Sequence, residues 1–391
     1  MKIRYILIHY DNDENGVLKK ALNQTFFLKR IGVDIELILI TSEKFSFESL
    51  NYVKIRQINR CNISNFTQRL KRARQIAGIM KKEIESLEVG DWLYLRYPYH
   101  LLVYPKNIIK NKRTCKVIFE HNTKEMEEFK LVYGIFSQSF IQELIFSIFL
   151  RSQSDAIIGV TDEITHYQLC KYHDPQKPHF TIGNGFDINS VILRLLPNYN
   201  GICLHLLCVA NVSRWHGIDR LIEGLAAYNG PLKIILHIAG EGYELPHLKQ
   251  MVTERKLIEQ VIFHGFKSGN KLDSLFNICH IAIGSLGLHR IGLNESSTLK
   301  AREYCARGIP YIIACGDPDF PDDFPYILRV PPDESPIDIE SVVHFAQKVC
   351  SDPDHPKKMR KYAEENLDWS IKMKKLKGFL ESLIEDPSSS A

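Results

Sequence analysis

The chain has 391 residues, 45% of them hydrophobic and 25% charged. Single cores seldom grow past about 250–300 residues, so this length predicts two domains. The composition is that of an ordinary globular protein and excludes a disordered or fibrous chain.

Nine cysteines are scattered without a Cys-x-x-Cys pair, the closest neighbours being Cys203 and Cys208. That pattern is neither a zinc site nor a disulfide framework. The opening run at 2–9 is strand-like, too short for a signal-peptide core, and followed by Asp11, Asp13 and Glu14. The reading is a reducing, cytoplasmic protein. The net charge of +4 is uneven: residues 1–130 hold 24 Lys and Arg against 15 Asp and Glu. A basic front half suggests an anionic partner, with ordinary solvated surface as the alternative. Lys71, Arg72, Arg74, Lys81 and Lys82 fall in one helical region without interleaved aromatics. That argues against nucleic acid and for an anionic membrane face.

In chain order, strands are expected at 3–9, 33–40, 92–96, 117–121 and 156–160, each short, apolar and rich in branched residues. Helices fall at 17–31 and 67–87. This is the βαβ grammar of a doubly wound domain. Residues 131–150 form a broad apolar helical stripe interrupted by Gln138, Gln142 and Glu143, so a spanning helix is not expected. Two readings stay open: packing on the domain core, or shallow membrane contact, at the inner face of the cell membrane. A turn-rich stretch at 183–201 marks the switch between halves.

The second half repeats the pattern. Strands are expected at 204–210, 233–239, 261–264, 281–284 and 310–314. Helices are expected at 217–228, 245–256, 271–279 and 297–307, with one or two more over 359–384. The tail from Asp386 reads as frayed. The resulting expectation is an α/β protein of two similar domains facing across a cleft. Its chemistry belongs in the loops after strands.

One segment there carries chemistry: Glu295-Ser-Ser-Thr-Leu-Lys300-Ala-Arg-Glu303. The glutamates stand eight apart and would share one face if the segment were helical throughout. A helix amino end in this position also favours a phosphate. Spacing alone more often marks a charged surface helix, because paired glutamates on helices are common. The pair Gly240 and Gly242 follows a strand, but position 245 is Leu, so a nicotinamide fingerprint is discounted.

Glu295 and Glu303, with the run from Leu299 to Ile313, resemble the E-x7-E signature of retaining family 4 glycosyltransferases. Asn184-Gly-Phe-Asp187, the Val209–Ile222 run, the 236–242 turn and the 261–266 strand resemble further elements of that family, in its order. The resemblance implies a GT-B fold of two Rossmann-like domains. Residues 1–186 would bind acceptor and 187–365 the nucleotide-sugar donor. A C-terminal helix in 366–391 would pack back on the first domain.

It also implies a metal-independent, retaining hexosyltransferase without a cofactor. UDP-sugar is favoured over GDP-sugar as donor, with a saccharide or lipid-linked glycan as acceptor in surface polysaccharide synthesis. A GT-B sugar-nucleotide epimerase and a non-catalytic sugar-nucleotide-binding protein are the alternatives. By the same resemblance Glu295 and His121 lie by the donor sugar, and Glu303 bonds the ribose. Gly16, in the Asn15-Gly16 loop, closes on the donor. Gly242 belongs to the turn after the second strand, and Gly265 and Phe266 to the loop that holds the base. Arg96-Tyr-Pro98 is an acceptor-contact candidate.

The sequence departs from the family at the diphosphate clamp. His216 stands at the lysine position and Asn211 at the arginine position, with Arg214 offset. Some cation is needed as the leaving diphosphate gains charge. The clamp is therefore either Arg214 with His216 or includes Lys300; Lys300 with Arg214 is favoured.

Overall fold

The computed structural model describes residues 2–10, 16–45, 50–61, 65–97 and 115–385; Asn15, Pro98 and the tail from Asp386 lie outside them. The chain forms two compact units, Met1–Gly183 with Trp369–Ala391, and Asn184–Asp368.

Unit 1 begins with β1 (Lys2–His9), α1 (Gly16–Arg30), β2 (Asp34–Thr41), β3 (Val53–Gln57), α2 (Phe66–Glu85) and β4 (Asp91–Arg96). It continues through β5 (Cys115–His121), α3 (Glu125–Tyr133), α4 (Gln138–Arg151), β6 (Ala156–Gly159), α5 (Asp162–Tyr172) and β7 (His179–Thr181). Unit 2 carries β8 (Cys203–Val209), α6 (Ile218–Ala227), β9 (Lys233–Ala239), α7 (Leu245–Glu254), β10 (Val261–Gly265) and α8 (Gly269–Ile278). Then follow β11 (Ile281–Ile283), α9 (Leu299–Arg307), β12 (Tyr311–Ile313), β13 (Ile327–Arg329), α10 (Ile339–Cys350) and α11 (His355–Asn366). The last helix, α12 (Trp369–Glu385), belongs to unit 1.

The unit 1 sheet runs β3-β2-β1-β4-β5-β6-β7, every pair parallel. Strands covered on both faces read as unbroken apolar runs, and Leu37, Ile38, Leu39 and Ile40 are all fully buried. The edge strand β3 lacks such a run and is half exposed along its length. On one face, Ile76, Met80 and Ile84 of α2 and Leu150 of α4 join Leu93, Leu95 and Phe119 in a single cluster. The last helix packs on α1. Lys377 Nζ donates to the Ile31 carbonyl (3.1 Å), and Phe379 stacks on Phe180 at 5.0 Å.

The apolar stretch at 131–150 is two helices rather than one. Gly134, at φ 80°, ends α3, and the Ser137 hydroxyl caps α4 by accepting from Phe140 N. Helix α4 is also inverted. Glu143, Ser147 and Arg151 are buried, whereas Leu144, Ile145 and Ile148 are about three-fifths exposed. Arg151 explains this: it reaches Glu143 (2.8 Å), Glu125 (3.4 Å) and Gln168 (3.3 Å) and lies 4.6 Å from the centre of the Tyr97 ring. Burial holds the Glu143 carboxyl up at about 7 despite that arginine. Packing of the apolar stripe on the core, one of the two open readings, is therefore corrected: the inward stripe is polar.

The unit 2 sheet runs β10-β9-β8-β11-β12-β13, again all parallel. Two buried arginines fasten it. Arg194 precedes β8 and donates to the carbonyls of Cys279 (2.5 Å) and Gly308 (2.9 Å). Arg302 of α9 has no exposed surface and donates to Asp317 (2.8 Å through Nη2), to Asp319 and to the Asn184 carbonyl (3.0 Å). Across three neighbouring strands, His205 Nδ1 meets His237 Nε2 at 2.9 Å, and His237 Nδ1 meets His264 Nε2 at 2.9 Å. Beside them, the His280 ring accepts from the His205 N–H (3.1 Å).

Replacing Arg302 by Met leaves two acidic groups inside without their cation and is expected to cost about 3–5 kcal/mol. Chemical unfolding measures this, and a loss under about 1 kcal/mol would show the pairing to be dispensable. A second expectation concerns pH. Burial lowers His237 and His280 from 6.5 to about 4. Between those values the unfolded chain binds more protons, so stability is full above 6.5 and falls as the pH drops toward 4. Melting curves across that window should show the decline, and His237→Gln should flatten it. An unchanged slope in the variant would remove His237 as a source.

Candidate functional site

In a parallel sheet, ligand-binding groups collect in the loops beyond the carboxyl ends of the strands. In unit 2 three such loops are tied together. Gly240-Glu241-Gly242 follows β9 and runs against the loop after β8. A Cβ at Gly240 would stand 1.8 Å from the Ala210 carbonyl oxygen, and one at Gly242 would stand 2.1 Å from that of Val212. With φ of 140° and 149°, both positions require glycine. Val212 N donates to the Glu241 carbonyl (2.5 Å), and Gly240 N to that of Gly265 (2.8 Å). The Glu241 carboxylate in turn accepts from Phe266 N (3.3 Å), leaving the Phe266 ring largely exposed.

His216 closes the short turn Arg214–His216 after β8 and is buried. Its Nδ1 accepts from Ser213 N (3.0 Å), which puts the ring proton on Nε2. Burial, and then the charge of Lys300, hold its pKa well below 6.5. His216 thus offers a neutral Nε2–H rather than a cation. The Arg214 side chain is exposed, and its carbonyl accepts from Arg290 Nη1 (2.8 Å). Arg290 is itself held by Asp219 (2.6 Å).

Lys300 lies in the first turn of α9, whose cap is the Thr298 hydroxyl. Its Nζ is shut off from solvent and has no hydrogen-bond partner among the described residues. Burial brings its pKa down to about 8, opposed by the Cys208 and Cys315 thiols.

Glu295 is not on that helix. It forms a parallel bridge with Gly316, flanked by Ser296 N to Gly316 O (2.9 Å) and Gly316 N to Asn294 O (2.7 Å). The condition for a shared helical face of Glu295 and Glu303 is therefore not met: Thr298 caps the helix, as the expected start near 297 implies, and the preceding run is extended. Glu303 is on α9, where one oxygen accepts from Arg307 Nε (2.8 Å). Arg307 also binds Asp273 (2.6 Å).

Lys300 and His216 are thus brought close enough to interact electrostatically, and Gly242, Gly265 and Phe266 are joined through Glu241. Two expected residues belong to unit 1. Gly16 is exposed and opens α1. His121 ends β5 and is wholly buried. Its Nδ1 meets Glu125 (2.8 Å) and its Nε2 the Tyr172 hydroxyl (3.1 Å), while the ring stacks on Tyr97 at 4.5 Å. Both nitrogens are therefore engaged inside the unit.

Sequence reasoning missed the supports. Asn184 N donates to the Ser297 hydroxyl (2.7 Å), and Asn184 Nδ2 to the Ser297 carbonyl. Arg302, between Lys300 and Glu303, is answered by Asp317 and Asp319 from the loop after β12. The acidic run Gly316-Asp-Pro-Asp319 was the one available signal.

Residues 204–322 match the family model of glycosyl transferases group 1, a match that supports a glycosyltransferase and spans less than half the chain. No curated protein matches the sequence. Several solved structures are similar over nearly the whole chain. Sucrose-phosphate synthase from Thermosynechococcus elongatus has a TM-score of 0.70 at 13% identity, covering 98% of this chain and 100% of its own. HepE of Anabaena, in complex with UDP and glucose, has a TM-score of 0.67 at 15% identity, with the same coverage of 98% and 100%. WaaG, a glycosyltransferase involved in lipopolysaccharide biosynthesis, has a TM-score of 0.66 at 12% identity, covering 96% of this chain and 98% of its own. At these identities the likeness is one of fold, and the fold is GT-B: two parallel-sheet α/β domains.

Proposed function

We propose that the chain is a retaining, metal-independent hexosyltransferase. It moves a sugar from a nucleotide-sugar, UDP-linked by preference, to a saccharide or lipid-linked glycan acceptor in surface polysaccharide synthesis. The observation that carries this reading is the Lys300 ammonium, closed from solvent and without a hydrogen-bond partner among the described residues, at the amino end of α9. A buried cation is costly unless an anion answers it. The diphosphate of a sugar nucleotide is such an anion, and it gains charge as the sugar leaves. The family match over 204–322, and the UDP and glucose found with HepE, support the same donor class.

In this reading unit 2 binds the donor and unit 1 the acceptor. Lys300 and Arg214 bear the diphosphate charge, and His216 contributes its neutral Nε2–H. Gly242 lets backbone approach the phosphates, Gly265 and Phe266 line the base, and Glu303 accepts from the ribose hydroxyls. Glu295 positions the donor sugar. His121, with both nitrogens engaged, acts through the strand end it stiffens. The acceptor hydroxyl attacks the anomeric carbon on the face that the phosphate leaves. The bond from that carbon to the phosphate oxygen breaks, and that oxygen takes the hydroxyl proton.

Thermal shift with UDP-, GDP- and ADP-sugars tests the donor class. A UDP-sugar at a hundred times its Kd should stabilise by about 2.7 kcal/mol, and no shift with any of the three would overturn the proposal. Glu303→Ala should weaken donor binding by about tenfold to a hundredfold at unchanged fold, and unchanged affinity would remove the ribose assignment. UDP affinity should also fall as the pH rises through about 8, where Lys300 loses its charge. Titration calorimetry on Lys300→Met should show that dependence abolished; if it persists, another group carries it.

A further inference from the structure

Helix α4 turns Ile141, Leu144, Ile145, Ile148 and Phe149 to solvent, each between 42% and 60% exposed. Its only two charged residues, Glu143 and Arg151, point inward. Phe136, 87% exposed, extends the same strip just before the helix. Single exposed apolar residues are ordinary, but a contiguous uncharged row marks an interaction surface. The row cannot roll inward, because doing so would pull Arg151 from Glu143, Glu125 and Gln168.

Beside it lies a basic helix. The inner residues of α2 and Leu150 of α4 share one core cluster, so both helices cover the same face of the sheet. Arg69 Nη1 of α2 stands 3.5 Å from Gln138 Oε1 in the first turn of α4. Outward, α2 exposes Lys71, Arg74, Lys81 and Lys82, against Glu85, which lies 3.7 Å from Lys81.

We propose that this face docks on an anionic lipid bilayer. Helix α4 lies in the interfacial plane with its apolar row at the acyl boundary, and the α2 cations meet headgroup phosphates. Among the described residues no helix is long and apolar enough to cross a membrane, which suits an interfacial contact. A second copy of the chain would cover the apolar row but would bring the same basic helix rather than a counter-charge for α2. The inference stands apart from the donor chemistry.

Vesicle flotation of the full chain tests it. The protein should float with phosphatidylcholine vesicles that contain phosphatidylglycerol and remain unbound with phosphatidylcholine alone. Raising salt from about 0.1 M to about 1 M, which shortens the Debye length from about 10 Å to about 3 Å, should weaken the binding. The double variant Leu144→Asp/Ile148→Asp, altered only at exposed positions, should lose binding by about tenfold or more while keeping its melting curve and its UDP-sugar shift. Lys71→Glu/Arg74→Glu should weaken flotation without abolishing it. Absence of flotation by the wild type, or unchanged flotation of the aspartate variant, would overturn the proposal. So would a wild-type dimer in light scattering that becomes monomeric in that variant. Loss of the UDP-sugar shift alone would strike the donor reading and leave this one standing.

Discussion

A guanidinium without exposed surface must find acceptors inside the protein, and Arg302 draws its acceptors from separate parts of the chain. Asp317 and Asp319 come from the loop after β12, the Asn184 carbonyl from the entry to unit 2, and the Thr298 carbonyl (3.4 Å) from the start of α9. One cation therefore holds three backbone segments around one helix end. Glu295 inherits its place from this anchor, since it bridges Gly316, the neighbour of Asp317. Two residues along a helix turn a side chain through about 200°, so α9 directs Arg302 and Lys300 to opposite sides. Arg302 faces carboxylates; Lys300 lies near the Cys208 and Cys315 thiols and the His216 ring. The same helix thus carries two cations that are answered within the fold, Arg302 and Arg307, and one whose Nζ has no hydrogen-bond partner among the described residues.

Much of the frame was legible because buried parallel strands carry unbroken apolar runs, as in residues 37–40 of β2 and 206–209 of β8. Gly240 and Gly242 were visible as a turn, although the reason for them, a carbonyl on the loop after β8, was not. What escaped was what depends on distant partners. The edge strand β3 alternates polar residues, and β7 and β13 have three residues each, too few to show a pattern. An apolar stripe on α4 was plain, but periodicity does not say which stripe faces in. Glu143, Ser147 and Arg151 recur every four residues and form an equally regular stripe, which wins because Glu125 and Gln168 wait inside. His121 looked like a site residue at a strand end. Tyr172, fifty-one positions away, encloses it.

The same limit applied to the Glu295–Glu303 segment. A spacing of eight suggests one helical face only while helix geometry holds throughout. The Thr298 cap and the bridge to Gly316 end that geometry after the first glutamate's stretch of chain. The residue types were readable; the backbone between them was set by a loop more than a dozen positions later.

The histidine row in unit 2 has a property that none of its members has alone. A neutral imidazole carries a single ring proton, and each N···N contact between His205, His237 and His264 can hold only one. Once one ring adopts a tautomer, the next is obliged to adopt the same, so the three share one choice. The row is a small arrow across three strands, pointing either toward the Cys203 sulfur, 3.4 Å from His205 Nε2, or away from it. Reversing the arrow requires three protons to move together. The middle ring is the only one whose loss breaks both links, and this makes His237 the position on which the polarity of the whole row depends.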